Sequence, residues 1–330
     1  MRSELIHKIF QLQGAPSADL LLEVYRYQYA FNPVYRRWCD AIDRAPQQVN
    51  QPALIPFLPI SFFKTHAVQT GDFTPESWFE SSGTTGSVNS RHFLRSMDLY
   101  RQSFLAGFRR FYGEPGDYCI LGLLPAYLER AHSSLVVMVD ELIRLSGHPQ
   151  SGFYLYDQEK LAATLQNLEN ADQQTILFGV TFALIDFAER FPMPLRHTII
   201  METGGMKGRG KELTRAELHE IFASAFNQPA IHAEYGMTEL LSQAYARNQG
   251  IFYAPPWLQV ILRIDDDPLI IKEIETITDQ GIINIIDLAN LDSCCFIATD
   301  DLGRLHPDGG FEVLGRVDQA DIRGCSQLAV

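Results

Sequence analysis

Four short stretches of this chain carry side chains suited to chemistry on a phosphorylated ligand. The first is Ser81-Ser82-Gly83-Thr84-Thr85-Gly86, with Arg91 and His92 close behind. Its glycines let the backbone turn tightly and bring N–H groups against a ligand, while its hydroxyls add donors for phosphate oxygens. No Gly-Lys-Ser/Thr follows at the spacing of a P-loop, so a nucleotide here would be held by other rules. The second is Tyr235-Gly236-Met237-Thr238-Glu239. An adenine can stack on its aromatic face, a phosphate can accept from its hydroxyl, and Mg²⁺ can bind its carboxylate. The third, Thr299-Asp300-Asp301, offers a carboxylate able to accept two hydrogen bonds from the vicinal hydroxyls of a ribose. In the fourth, Gly315-Arg316-Val317-Asp318, the guanidinium can meet a ribose or a carboxylate. Read singly, each has a plainer alternative: a solvated polar turn, a self-capped strand-to-helix turn, an acidic turn and a surface ion pair.

The elements that must position these stretches alternate. Residues up to about 43 read as helices, and the proline-punctuated stretch 52–64 as an extended segment. A helix is expected after the Ser/Thr/Gly loop, over 98–112. Buried strands follow at 118–124, 175–181 and 197–201, with helices at 128–145 and 182–190 between them. A capping box, Thr214-x-x-Glu217, opens a further helix that runs to 226. Residues 230–233 read as a strand that delivers Tyr235, with a helix expected beyond Glu239. From 258 onward the pattern turns to short β pieces at 260–264, 269–278, 282–288 and 311–314, separated by turns. Strand–helix alternation followed by β pieces predicts a layered α/β large domain with a smaller β-rich subdomain. The expected boundaries are a helical segment over 1–50, an α/β lobe over 51–257, the β-rich part of the same domain over 258–314, and a short tail over 315–330.

Bulk properties narrow the classes. The 330 residues are 46% hydrophobic and 20% charged, and a formal net charge of −13 repels nucleic acid and anionic membrane. Neither partner is expected. The N-terminal stretch mixes charge with helically spaced apolar residues, so neither a signal peptide nor a membrane span is expected. The five cysteines, Cys39, Cys119, Cys294, Cys295 and Cys325, include no Cys-x-x-Cys pair, which argues against a disulfide framework or a zinc site and for a cytoplasmic location. His92, His132, His197 and His232 lack metal-ligand or nucleophile-partner spacing and read as structural or surface residues.

Taken in their fixed order, the four stretches resemble the adenylate-forming superfamily of acyl-CoA synthetases and adenylation domains. Within it the chain is similar to the acyl-protein synthetase family of the bacterial bioluminescence fatty-acid reductase system. That likeness is carried by Ile55-Pro-Phe-Leu-Pro-Ile60 with Phe63-Lys64, by the double serine Ser81-Ser82 and by Leu124-Pro-Ala-Tyr-Leu-Glu-Arg130 with Ser133-Ser134-Leu135. The ending Asp321-Ile-Arg-Gly-Cys325-Ser326 completes it. The resemblance implies ATP and Mg²⁺ as cofactors, a carboxylic (fatty or other acyl) acid as substrate, and an α/β lobe that binds nucleotide and acyl group. By motif, Ser82, Gly83, Thr84, Thr85 and Gly86 would hold the phosphates. Tyr235 and Gly236, with Gly204 and Gly205, would line the adenine. Thr238 would contact the α-phosphate, Glu239 would ligate Mg²⁺, Asp301 would bind the ribose and Arg316 would assist there.

Two departures stand out. The Pro-Lys that often follows the phosphate loop is replaced by Val88-Asn89-Ser90-Arg91-His92, leaving Arg91 to supply the charge. The superfamily's mobile C-terminal domain, with its lysine, is expected to be absent. Cys325 then becomes the candidate acyl acceptor, with Arg323 nearby to favour thiolate. The chain from Arg316 to Cys325 could extend roughly 30 Å, enough to swing the thiol into the site. An acyl-Cys325 thioester, passed to an acyl reductase or acyltransferase partner, is the expected product. The alternatives are delivery to CoA or a carrier protein by an acyl- or aryl-CoA ligase-like enzyme, and a degenerate nucleotide-binding subunit.

Overall fold

A computed structural model describes residues 1–81, 88–125, 132–204, 215–263 and 280–317. Ser82, Gly83, Thr84, Thr85, Gly86, Gly205 and Cys325 lie outside the described residues, as do Thr214 and the expected strand 269–278. The chain divides into two compact units, one made of Met1–Ser103, Thr238–Ser242 and Tyr253–Val330, the other of Phe104–Met237 and Gln243–Phe252.

The first unit opens with helices α1 (Arg2–Phe10), α2 (Ala18–Phe31) and α3 (Pro33–Ala41). The Ser17 hydroxyl accepts from the Leu20 N–H at the head of α2, whose Leu20, Leu21, Val24 and Tyr25 are buried. Asn32 ends α2 and caps α3 by accepting from Val34 N and Tyr35 N, and Pro33 fills the first helical position, where no N–H is needed. Strand β1 (Leu58–Pro59) and the single-turn α4 (Phe62–Thr65) lead to β2 (Ser77–Glu80) and β3 (Arg91–Leu94). These last two form an antiparallel hairpin with Glu80 opposite Arg91. The segment leaving the Ser/Thr/Gly stretch is therefore a strand, and the helix α5 (Met97–Tyr112) starts only after it. Exposed Arg91, buried His92 and buried Leu94 show why: their burial follows the period of two of a half-covered strand.

The second unit begins within α5. It contains β4 (Cys119–Leu123), α6 (Ser134–Ser146), β5 (Gly152–Phe153), α7 (Gln158–Asn170), β6 (Thr175–Val180), α8 (Thr181–Arg190), β7 (Thr198–Thr203), α9 (Arg215–Phe226), β8 (His232–Tyr235) and β9 (Ala244–Ala246). Strands β5, β4, β6, β7 and β8 lie parallel in that order, and β9 runs antiparallel to β8. Every residue of β4 and β6 is buried, as a parallel sheet covered by helices requires. The helix α6 packs on β4, and α8 packs on β6 and β7. Gly147 ends α6 in the left-handed conformation, φ 63°. No helix follows Glu239. The chain passes from β8 through a turn into β9, because partners distant in sequence hold that turn.

β10 (Phe252–Tyr253) straddles the boundary between the units. The first unit then closes with β11 (Leu258–Arg263), β12 (Gln280–Asp287), β13 (Phe296–Leu305) and β14 (Phe311–Arg316), antiparallel in sequence order, with β1 parallel to β13. The plainer alternative for Thr299-Asp300-Asp301, an acidic turn, is not what forms: these residues lie inside β13. Burial outweighs turn preference here: Thr299 Oγ1 donates to Ile283 O at 2.7 Å and accepts from Asp301 N at 3.1 Å. The connection from β12 to β13 is fastened by the N-terminal helices. Gln28 donates to Leu291 O at 3.0 Å and accepts from Cys295 N at 2.8 Å, Asn32 donates to Ser293 O at 2.8 Å, and Arg2 pairs with Asp292. Cys294 and Cys295 are fully buried in this packing. Among the described residues no helix is long and apolar enough to cross a membrane.

Candidate active site

In the first unit, the hairpin of β2 and β3 closes the ends of the Ser/Thr/Gly stretch. Ser81 N donates to Ser90 O at 3.1 Å, and Ser90 N donates to the Ser81 hydroxyl at 2.9 Å. Alternation puts Ser90 and His92 on one face of the strand and Arg91 on the other. Arg91 is exposed and its Nε lies 3.6 Å from Glu80 Oε1. Ser90 and His92 are buried, and both engage the 238–239 turn.

Four side chains fix that turn. His92 Nδ1 lies 2.9 Å from Thr238 O, and since a carbonyl only accepts, Nδ1 carries the proton. Asn290 Nδ2 donates to Glu239 O at 2.7 Å. The Asp287 carboxylate accepts from Leu241 N at 2.8 Å, Ser242 N at 3.0 Å and the Ser242 hydroxyl at 2.6 Å. Ser90 hydrogen-bonds the Glu239 carboxylate. The Ser242 hydroxyl also accepts from the Trp257 indole N–H at 3.1 Å.

Electrostatics follow from burial. Desolvation raises the Glu239 carboxyl above its usual range, opposed by Ser90 and by the charges of Arg316 and Lys64. Burial pushes Asp287 up to about 6 against its four hydrogen bonds. It also drives the His92 ring down to about 4, outweighing hydrogen bonds to Thr238 and Asn290. His92 is thus a neutral buried ring, the structural role its spacing suggested. Across β13 and β14, Asp301 faces Arg316, with Nε 3.2 Å from Oδ1. Asp301 is buried while the Arg316 side chain is 68% exposed. Glu239, Thr238, Asp301 and Arg316 all belong to this unit.

The second unit holds Gly204, Tyr235 and Gly236. Gly204 follows β7 with φ 74°, and Tyr235 ends the neighbouring β8, so both stand at the carboxyl ends of parallel strands, where ligands of open α/β sheets bind. The Tyr235 ring lies 5.8 Å from that of Phe252. A side chain at 236 would meet Glu234, since a Cβ there would fall 2.5 Å from Oε1. The Thr181 hydroxyl contacts both the Glu202 carboxylate and the Gly204 carbonyl. Burial and the Glu202 charge push the Glu234 carboxyl up to about 8. Ser90 and Lys64 stand in the sequence motifs with no role assigned to them, and Asn290 and Asp287 stand outside the motifs. Alternation in the hairpin could have exposed Ser90 beside His92; Asn290 and Asp287 leave no local signal.

A family model for acyl-protein synthetase, LuxE, matches residues 13–329. The chain belongs to the LuxE family. As a LuxE-family member it is an adenylate-forming acyl ligase. It is 24% identical over 346 aligned residues to the long-chain-fatty-acid–luciferin-component ligase of Vibrio harveyi, covering 96% of this chain and 88% of that protein. The ligase of the same name from Photorhabdus luminescens is 35% identical over 68 residues, 20% of this chain and 58% of that protein. In fold the chain is similar to ATP-bound MatB from Rhodopseudomonas palustris, with 18% identity and a TM-score of 0.54 over 72% of this chain and 47% of that one. It is also similar to the long-chain-fatty-acid-CoA ligase FadD1 from Archaeoglobus fulgidus, with 15% identity and a TM-score of 0.52 over 76% of this chain and 53% of that one. The LuxE-family chain thus spans about half the length of these solved relatives.

Proposed function

We propose that this LuxE-family chain uses ATP and Mg²⁺ to convert a fatty or other acyl carboxylic acid to acyl-AMP, then takes the acyl group onto its own Cys325. One observation carries the reading. The hairpin that closes the Ser/Thr/Gly stretch also grips the Thr238 carbonyl and the Glu239 carboxylate. That contact supports reading the stretch as phosphate donors and Glu239 as the cation ligand.

Glu239 fits Mg²⁺. That ion takes one or two protein carboxylates and completes its shell with water and substrate phosphates. A desolvated carboxylate gains from meeting a cation. When bound, the ion neutralises charge on the phosphates. On this reading Ser82, Gly83, Thr84, Thr85 and Gly86 supply the phosphate donors, Thr238 donates to the α-phosphate, and Arg91 adds charge. Asp301 accepts from the ribose hydroxyls and Arg316 orients it. Tyr235 and Gly236, with Gly204 and Gly205, line the adenine. The acid's carboxylate oxygen attacks the α-phosphorus, and the bond to pyrophosphate breaks. The Cys325 thiolate, its proton given to solvent, then attacks the acyl carbonyl and AMP leaves. A reductase or acyltransferase partner takes the acyl group from the thioester. The names of the curated relatives make long-chain fatty acids the first substrates to try.

The test is ATP–pyrophosphate exchange with a panel of acids, together with intact mass. Acid-dependent exchange and an acyl mass gain are expected, the gain vanishing in Cys325→Ala while exchange persists. Absence of acid-dependent exchange overturns the activation. A mass gain that survives Cys325→Ala, or acyl-CoA as the product, overturns the cysteine acceptor.

A further inference from the structure

The turn Thr238–Ser242 belongs to no helix or strand, yet its Glu239, Leu240, Leu241 and Ser242 are buried. Buried main-chain groups outside regular structure need partners. Here side chains from three places supply them: His92 on β3 takes Thr238 O, Asn290 takes Glu239 O, and Asp287 takes Leu241 N and Ser242 N. Only His92 among these grips stands on the strand that leaves the Ser/Thr/Gly stretch. Two residues before it on the same face, Ser90 holds the Glu239 carboxylate.

We propose that His92 is a positioning residue for the activation step: its Nδ1–H fixes the Thr238 carbonyl, and with it the Thr238 hydroxyl and Glu239 carboxylate, relative to β3. The inference rests on the reading of Thr238 as phosphate contact and Glu239 as Mg²⁺ ligand. Thr238 O is reached by Nδ1, while the ring also meets the Asn290 side chain, so the Thr238 role depends on a donor at the Nδ1 position. Edge-on packing against Phe63 (centroids 5.8 Å apart) and Phe79 (6.3 Å apart) fixes the ring plane. Histidine here acts by hydrogen bonding and shape, with no proton transfer.

Asparagine and glutamine separate this role from simple packing. The Asn amide nitrogen can occupy the place of the imidazole Nδ1, whereas the Gln amide nitrogen corresponds to Nε2 and misses Thr238. Both remove the ring, so both lower Tm. His92→Gln is expected to lower kcat for ATP–pyrophosphate exchange about tenfold, the scale of one lost buried hydrogen bond. It should also raise the Mg²⁺ concentration for half-maximal rate by a similar factor, with KM for the acid unchanged. His92→Asn should recover most of both losses despite its lowered Tm. Equal impairment of the two variants, or no change in His92→Gln, overturns the proposal. If the native protein shows no acid-dependent exchange, the functional reading itself has failed. Amide hydrogen exchange over 237–243 then decides the inference: protection kept in His92→Asn and lost in His92→Gln supports it, and equal protection in both overturns it.

Discussion

Glu234 shows how strongly a strand end can change one side chain. Its carboxyl, ordinarily near 4.5, is pushed up to about 8 by burial and by the neighbouring Glu202 charge. The folded protein therefore holds a proton there that the unfolded chain releases at lower pH. The sign follows from linkage: this group's contribution to stability is fully present below about 4.5 and is lost as pH rises through about 8. Glu234→Gln mimics the protonated form. Its urea midpoint should gain on the native protein as pH rises across that window, the gap widening by up to about 1.4 kcal/mol per pH unit. A constant gap between pH 5 and 9 would refute the buried, protonated carboxyl. Sequence alone places Glu234 beside an interesting tyrosine; only the parallel pairing of β7 with β8 reveals the second carboxylate.

At the level of elements, the parallel strands were legible because fully buried strands read as unbroken apolar runs, as in Thr175–Val180. β13 was not. Asp300, Asp301 and Gly303 are turn formers, and the stretch reads locally as a loop. Sheet pairing on both sides overrides that preference, with Asp301 buried opposite Arg316. The same glycine then serves the sheet: a Cβ at 303 would lie 2.6 Å from Ile283 Cδ1 and 2.9 Å from Glu312 O. Gly303→Val should destabilise by about 1–3 kcal/mol, read as a lowered Tm, because backbone on one side cannot yield. An unchanged Tm would mean the strands can part there at no cost. The helix expected beyond Glu239 failed for a related reason. Its turn is shaped by Asn290 and Asp287, some fifty residues downstream and invisible to any local pattern.

Across the whole molecule, the N-terminal helices, read in sequence as a helical segment over 1–50, belong to the first unit. Buried Gln28 and Asn32, together with Arg2, fasten residues 291–295, which directly follow Asn290 and its bond to Glu239. Gln28→Ala strands the Cys295 N–H and the Leu291 carbonyl and should cost about 1–3 kcal/mol in urea unfolding. A cost near zero would show the helices to be dispensable to that connection. The order of motifs told the family and the chemistry because such motifs are contiguous in sequence. The supports were silent because they meet only in space.

Trp257 gives the Thr238–Ser242 turn its own chromophore. Its indole N–H rests on the Ser242 hydroxyl, inside a buried setting shared with the ring of Phe10 5.1 Å away. Indole emission responds to hydrogen bonding and to nearby charge, and the other two tryptophans stand elsewhere, Trp38 donating to Phe57 O and Trp78 opposite Phe93 in the β2–β3 hairpin. Nature has thus wired a fluorescent gauge to the segment that bears Glu239. If Mg²⁺ binds Glu239 as proposed, adding it should change the emission of Trp257, read in a cuvette with no label attached.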